Sequence, residues 1–262
     1  MRVGFIGAGN MGGALATAAA KSKQTLFLAD RDTEKAQALA KKLKCETATA
    51  EEIILGCDYV FLGVKPQVLG ALLEEIAPVL KIRREKPVLV SMAAGVQMAD
   101  ILHRADAPLI RIMPNIPVAV GAGMILYDVS DSVTGEQEQG FLQILDKAGM
   151  LCRLEEKLID AGSAVSGCGP AFVSLFVEAL ADGGVACGLP RDKATALALQ
   201  TLLGTASLLQ KTGQHPGQLK DAVCSPGGST IAGVRALEQG GFRASTMDAV
   251  EEAFARTKEL GK

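Results

Sequence analysis

Two short segments of this chain combine glycine-freed backbone with groups that bind anions, and each stands just before a helical pattern. The first, Gly7-Ala8-Gly9-Asn10-Met11-Gly12, has the spacing G-x-G-x-x-G, with a strand-like run at 2–6 before it and a helical run after it. Gly7 permits a tight turn, Gly9 lets the backbone approach a pyrophosphate, and Gly12 lets helix and strand pack closely. Phosphates held there sit at the positive end of the following helix. Dinucleotide binding is therefore the chemistry expected of this segment, and its flanks argue against a merely flexible turn. The second segment, Ser225-Pro226-Gly227-Gly228-Ser229-Thr230, again frees the backbone with two glycines and sets hydroxyl residues at a helix start. It reads as an anion-binding helix N-terminus with side-chain donors added, or as an ordinary Ser/Thr-capped loop.

Two further positions belong with the first segment. The end of a second strand, at 25–29, should meet the adenosine ribose, and Asp30-Arg31-Asp32 falls there. Asp30 could accept from ribose hydroxyls, which favours NAD, whereas Arg31 could pair with a 2′-phosphate, which favours NADP. Alternatively, Asp30 only caps the helix that begins Asp32-Thr33-Glu34-Lys35. Val64 ends the strand at 59–64 and Lys65 follows it, at the edge where open α/β sheets bind ligands, so Lys65 is a candidate cofactor or substrate contact.

The elements that position these groups follow from hydrophobic patterning. Apolar runs at 2–6, 25–29, 59–64, 87–92 and 109–113 are nearly continuous, as strands buried on both faces should be. They alternate with amphipathic runs, including a helix at 66–80 that opens on a proline and a helix at 135–148. That alternation, closed by a short strand at 150–154, predicts a parallel sheet covered by helices: a Rossmann domain over residues 1–155. From 156 to 262 the strand pattern disappears, and helices are expected at 170–185, 191–211, 230–239 and 246–260. The first two are apolar almost all round, so they should be buried on every side, and a second subunit is the expected source of cover. The expectation is an α/β chain with an all-helical C-terminal dimerisation domain.

Composition limits the alternatives. The 262 residues are 48% hydrophobic and 21% charged, with a net charge of −2, which is globular composition without the basic excess that nucleic acid or an anionic membrane would call for. The chain runs from Met1 into Gly7 too soon for a signal peptide, and no apolar stretch was expected to span a bilayer, so a cytoplasmic protein is expected. Six scattered cysteines without a C-x-x-C pair and two distant histidines, His103 and His215, present no readable metal site. Cys168 and Cys224 lie beside motifs without a neighbouring base and read as small packing residues.

Along nearly its whole length the chain resembles the pyrroline-5-carboxylate reductase family. The motifs GFIGAGNMG, FLGVKPQ, VSMAAGV, RIMPNIPV, SGCGPAFV, EALADGGVACGLPR and HPGQLKDAVCSPGGSTIAGVRALE occur in the family's order, the last being its signature. The resemblance implies a helical domain interlocking two subunits in a homodimer, open to higher assembly, with each active site completed across the dimer. It implies hydride transfer from NADP, or NAD, in reduced form to C5 of 1-pyrroline-5-carboxylate, giving L-proline. Ser225, Gly228, Ser229 and Thr230 match the loop that holds this small-molecule substrate, with Thr230 the candidate catalytic hydroxyl and Val223 lining the ring pocket. Lys65, Ala94 and Asn115 match positions near the nicotinamide, while Asn10, Met11 and Val64 fall within the cofactor-binding motifs. Two departures stand out. Gly213 replaces an acid that some members carry before QHPG, and Asp30-Arg31 differs from the form associated with strict NADPH users, which leaves the cofactor choice open.

The nearest rival class, β-hydroxyacid dehydrogenases, resembles this chain in its opening but uses a lysine on the first long C-terminal helix. Residues 170–180 contain none. A reductase of another cyclic imine, or a dinucleotide sensor without catalysis, are the other readings; the intact SPGGST segment speaks against the sensor.

Overall fold

The computed structural model describes residues 1–260. Contacts divide the chain into two compact units, Met1–Cys168 together with the stretch from Ala253, and Gly169–Glu252.

The first unit is built on an eight-stranded sheet. Its strands are β1 (Arg2–Ile6), β2 (Thr25–Ala29), β3 (Glu46–Thr47), β4 (Tyr59–Leu62), β5 (Val88–Ser91), β6 (Leu109–Pro114), β7 (Gly123–Val129) and β8 (Gly149–Arg153), in the spatial order β3-β2-β1-β4-β5-β6-β7-β8. Side chains alternate between the two faces, yet both faces are buried: Phe5 and Phe61 stack on one side at 4.5 Å, while Ile6, Val60 and Leu62 serve the other. This explains the unbroken apolar runs. The covering helices are α1 (Asn10–Lys21), α2 (Thr33–Leu43), α3 (Ala50–Gly56), α4 (Pro66–Ile82), α5 (Met98–Leu102), α6 (Gly135–Ile144) and α7 (Glu156–Ser166). Their starts follow local chemistry: Asp32 caps α2, Thr49 and Glu52 form a reciprocal capping box on α3, Thr134 and Gln137 do so on α6, and Pro66 opens α4.

The sheet departs from the parallel one expected. β6 and β7 pair antiparallel, and β8 then runs parallel to β7, so the last two strands oppose the others. The tight link Pro114 to Gly123 makes this possible, because a single 3-10 turn over Ile116–Val120 and an αL glycine, Gly121 (φ +78°), reverse the chain without a crossover helix.

The second unit is helical: α8 (Gly169–Ala186), α9 (Arg191–Thr212), α10 (Pro216–Val223), α11 (Ser229–Gln239) and most of α12 (Phe242–Leu260). α8 and α9 pack through Ala181, Ala194 and Ala198, small residues that let the two helices approach closely. The expectation that α8 and α9 are buried all round is not met within one chain. Leu175 is 65% exposed and Leu203 63%, and Val173, Leu180, Leu197, Leu199 and Leu208 are exposed as well. The run Glu156–Ala186, counted as one 31-residue stretch, is also long and apolar enough by length and composition to cross a membrane, contrary to the sequence expectation. Its first turns are nonetheless anchored in the sheet unit, where Ile159 and Ala164 are buried and Asp160 pairs with the buried Arg111 at 2.6 Å.

Candidate active site

The glycine turn after β1 and the turn after β4 are packed backbone against backbone. Gly7 has φ +108°, and a Cβ there would lie 2.5 Å from the Gly63 carbonyl oxygen. A Cβ on Gly12 would collide with the Gly7 carbonyl oxygen, and one on Gly63 would come within 2.7 Å of it. These three glycines are therefore demanded by packing. Gly9 is different: a Cβ there would meet nothing within 4 Å, so no protein atom explains its lack of a side chain. It is also the N-cap of α1 and supplies no side-chain cap, which leaves the first N–H groups of that helix without a side-chain acceptor. Open space in front of an uncapped, positively polarised helix end is what a bound pyrophosphate requires.

This end of the sheet is where the strand order reverses, between β1 and β4. A cavity of about 540 Å³ opens there, lined by Gly7 and Gly9, by Asp30 and Arg31 after β2 and Thr33 at the start of α2, by Ala48 and Thr49 before α3 and Ala50 at its start, by Val64 and Lys65 after β4, and by Val68, Leu72 and Glu75 of α4. A larger cavity of about 810 Å³, lined by Arg83, Glu136 and Gln143 among others, contains none of the sequence-expected residues. The smaller cavity is the one that fits the chemistry.

Asp30 has a role that sequence reasoning did not assign. Its Oδ2 accepts from the Ala8 N–H at 2.6 Å and its Oδ1 from the Asp32 N–H at 3.0 Å. The helix-capping alternative falls to Asp32, whose Oδ1 accepts from the Lys35 N–H at 3.1 Å. Asp30 thus clamps the glycine turn to the end of β2.

The other expected residues are dispersed as follows. Val64 and Lys65 line the cavity, and Lys65 is exposed as the N-cap of α4. Asn10 opens α1 at the surface, while Met11 is half-buried against the core. Ala94 is exposed in the turn after β5. Asn115 is buried outside the cavity: its Oδ1 accepts from the Met124 N–H at 2.8 Å and its Nδ2 donates to the Ser166 carbonyl at 2.9 Å, tying β7 and α7 to the end of β6. Missed entirely was the ionic cluster in which Arg111 donates to Glu156 at 3.2 Å and to Asp160 at 2.6 Å; a lone arginine inside an apolar strand was its only sequence signal. Thr33, Thr49, Val68, Leu72 and Glu75 were missed as cavity residues because nothing local distinguishes them from caps and helix faces.

In the second unit, Gly227 turns the chain at φ +68° and Gly228 is the N-cap of α11 without a side-chain cap. Ser229 and Thr230 are consequently the first two helical residues, both exposed, and neither caps the helix. The Ser/Thr-capped loop is thereby set aside. Ser225 accepts from the Gly228 N–H through its carbonyl at 3.0 Å, and its hydroxyl stands where a Gly228 side chain would be. Val223 ends α10, exposed. Gly213 is the left-handed C-cap of α9 at φ +65°, a conformation that favours glycine. α1 and α11 thus share a feature absent from α2, α3 and α6: a glycine N-cap with no side chain on the helix end.

The family described as pyrroline-5-carboxylate reductase dimerisation matches residues 156–260, and that described as NADP oxidoreductase coenzyme F420-dependent matches residues 2–95. The pyrroline-5-carboxylate reductase of Glycine max is 42% identical over 98% of this chain and 95% of its own length. The structure of pyrroline-5-carboxylate reductase from Coxiella burnetii superposes with a TM-score of 0.90 at 30% identity, covering 99% of this chain and 98% of that one. A Plasmodium falciparum pyrroline carboxylate reductase with NADP bound superposes with a TM-score of 0.88 at 32% identity over the whole of both chains. With full-length identity at this level, a Rossmann-type sheet unit and a matching helical dimerisation region, the chain belongs to the pyrroline-5-carboxylate reductase family.

Proposed function

We propose that this chain reduces 1-pyrroline-5-carboxylate to L-proline with NAD(P)H, leaning toward NADPH, as a cytoplasmic homodimer that is open to higher assembly. The observation that carries the reading is the start of α11, where Gly228 leaves the helix end uncapped and Ser229 and Thr230 add hydroxyls beside it. A small ring bearing a carboxylate has the charge and size that such a helix end recognises. Residues 1–155 then hold the dinucleotide and residues 156–262 supply the substrate loop and the dimer contacts.

The nicotinamide, when bound, supplies the hydride. The chain itself binds, orients and excludes water. Uncapped N–H groups at the start of α1, behind Gly9, hold the pyrophosphate; Asp30 keeps that turn in place through Ala8; Arg31 pairs with a 2′-phosphate; and Val64, Lys65 and Ala94 serve the nicotinamide side, while Asn115, whose side chain is committed to Met124 and Ser166, braces the end of β6. Asn10, Met11 and Gly12 complete the turn. N–H groups of Ser229 and Thr230 hold the substrate carboxylate, the Thr230 hydroxyl donates to the substrate, and Ser225 and Val223 shape the pocket. No strong acid or base is required, because a protonated ring nitrogen already makes C5 electrophilic and alignment supplies the rest.

The apolar faces of α8 and α9 are read as subunit contacts rather than lipid contacts, since the family match over 156–260 is a dimerisation region. Purified protein supplied with NADPH and, in parallel, 1-pyrroline-5-carboxylate, a six-membered cyclic imine carboxylate and, with NADP, a β-hydroxy acid tests the proposal. Preferred turnover of the five-membered imine supports it. Preferred oxidation of the hydroxy acid would reject it.

A further inference from the structure

The cavity at the sheet switch point is lined by four charged side chains, Asp30, Arg31, Lys65 and Glu75. Three have an account: Asp30 is bonded to the Ala8 and Asp32 N–H groups, and Arg31 and Lys65 are cations suited to phosphates. A neighbouring acid, Glu52, is committed to Thr49, whose N–H it accepts at 2.8 Å. Glu75 alone remains: it is exposed to the solvent that fills the cavity, and among the described residues its carboxylate forms no hydrogen bond and no salt bridge, although the adjacent Glu74 reaches Arg104. An acid facing a phosphate would be repelled, so the ligand group that suits a carboxylate on this wall is a hydrogen-bond donor that replaces water.

Its place on α4 says which donor. Val68, Leu72 and Glu75 recur at helical spacing and all line the cavity, so the wall is apolar for two turns and then ends in an acceptor. Ala48 and Ala50 add further apolar lining. Lys65 starts α4 beside the glycine turns, and ten residues of helix carry Glu75 about 15 Å along the axis, away from the phosphate end. An apolar-lined space ending in a lone acceptor, remote from the phosphates, suits a purine with an exocyclic amine.

We propose that Glu75 is a specificity-determining residue that reads the base of the dinucleotide by accepting a hydrogen bond from the adenine 6-amino group. This rests on the dinucleotide reading of the cavity. It goes beyond that reading by making the enzyme selective for adenine over a base carrying a carbonyl at the same position, where two acceptors would oppose each other.

The test compares NADH with reduced nicotinamide hypoxanthine dinucleotide, in which that amine is a carbonyl. The chain has no Trp, so affinity is read from the change in fluorescence of the reduced nicotinamide on binding to the full-length protein. The wild type is expected to bind NADH about tenfold more tightly than the hypoxanthine analogue. In Glu75→Ala that ratio should fall to near one, chiefly through loss of NADH affinity, and in turnover the discrimination should appear in KM rather than kcat. A wild type that binds both dinucleotides tightly and equally, or a Glu75→Ala variant that keeps the tenfold ratio, overturns the role of Glu75 alone. Failure of both dinucleotides to bind would overturn the cofactor reading and this inference together.

Discussion

Asp30 and Arg31 stand side by side at the end of β2 but are set up for different tasks. Both Asp30 carboxylate oxygens are engaged with backbone N–H groups, whereas Arg31 lines the cavity and forms no ion pair among the described residues. Arg31→Ala should therefore weaken NADPH far more than NADH, by about ten- to hundredfold in kcat/KM, while Asp30→Ala should lower use of both cofactors by similar factors. Equal losses for both cofactors in Arg31→Ala would show that it does not read the 2′-phosphate. Thr230 likewise has a task separate from holding its element together. As the second residue of α11 behind a glycine cap, its hydroxyl is not needed to start the helix, so Thr230→Ala should leave the melting temperature nearly unchanged. Its kcat/KM for the imine should fall about ten- to hundredfold, with Thr230→Ser recovering most of it. A variant that melts early with intact kinetics would return Thr230 to a structural role.

Among the elements, the least legible feature in the sequence was the join between β6 and α7. Arg111 is buried within an apolar strand, and its partners Glu156 and Asp160 lie more than forty residues on, so no local pattern could link them. Arg111→Met should destabilise the sheet unit by about 3–5 kcal/mol, measured by urea unfolding, because two partly buried carboxylates lose their counter-charge. Strands β1, β2 and β6 were legible because double-sided burial leaves a nearly continuous apolar run, interrupted in β6 by Arg111, and α4 because Pro66 and a spaced leucine stripe mark it. β7 was hidden in the sequence by the glycines around it, and its antiparallel pairing depends on a turn whose geometry spacing does not reveal. Two tyrosines tie this side of the sheet to α6: Tyr59 donates to the Gln137 carbonyl at 2.7 Å and Tyr127 to Glu138 at 3.0 Å. Burial pushes both hydroxyls up to about 12 from an ordinary value of 10.0. Since the folded state keeps these protons more tightly, their stabilisation is complete below about pH 10 and is lost as pH rises toward 12. Burial also pushes the Cys57 thiol up from 9.0 to about 11, so denaturant midpoints should begin to fall near pH 9 and fall further above 10, with a shallower fall above 10 in Tyr59→Phe; identical slopes above pH 10 would dissociate Tyr59 from it.

For the molecule as a whole, the apolar surface on α8 and α9 lies within the region that matches the family's dimerisation model. A leucine side chain moved from water into a subunit contact contributes about 1.5–3 kcal/mol, and Leu175 and Leu203 are only two of several exposed on these helices. Light scattering should give a mass at least twice that of the chain at assay concentrations, and Leu203→Glu should shift it toward monomer with loss of activity. An active monomer would contradict this. The G-x-G-x-x-G turn and the SPGGST segment could be found from residue types alone, but the commitment of Asp30 to Ala8 and the lone acceptor at Glu75 depend on where separate elements meet. Hydride transfer to a cyclic imine is tested most directly by isotope transfer. With NADPH deuterated on the transferred face of C4, the proline formed should carry one deuterium at C5 for each cofactor oxidised. Cofactor oxidised without label at C5 of proline, or bound with no proline formed, would contradict the account.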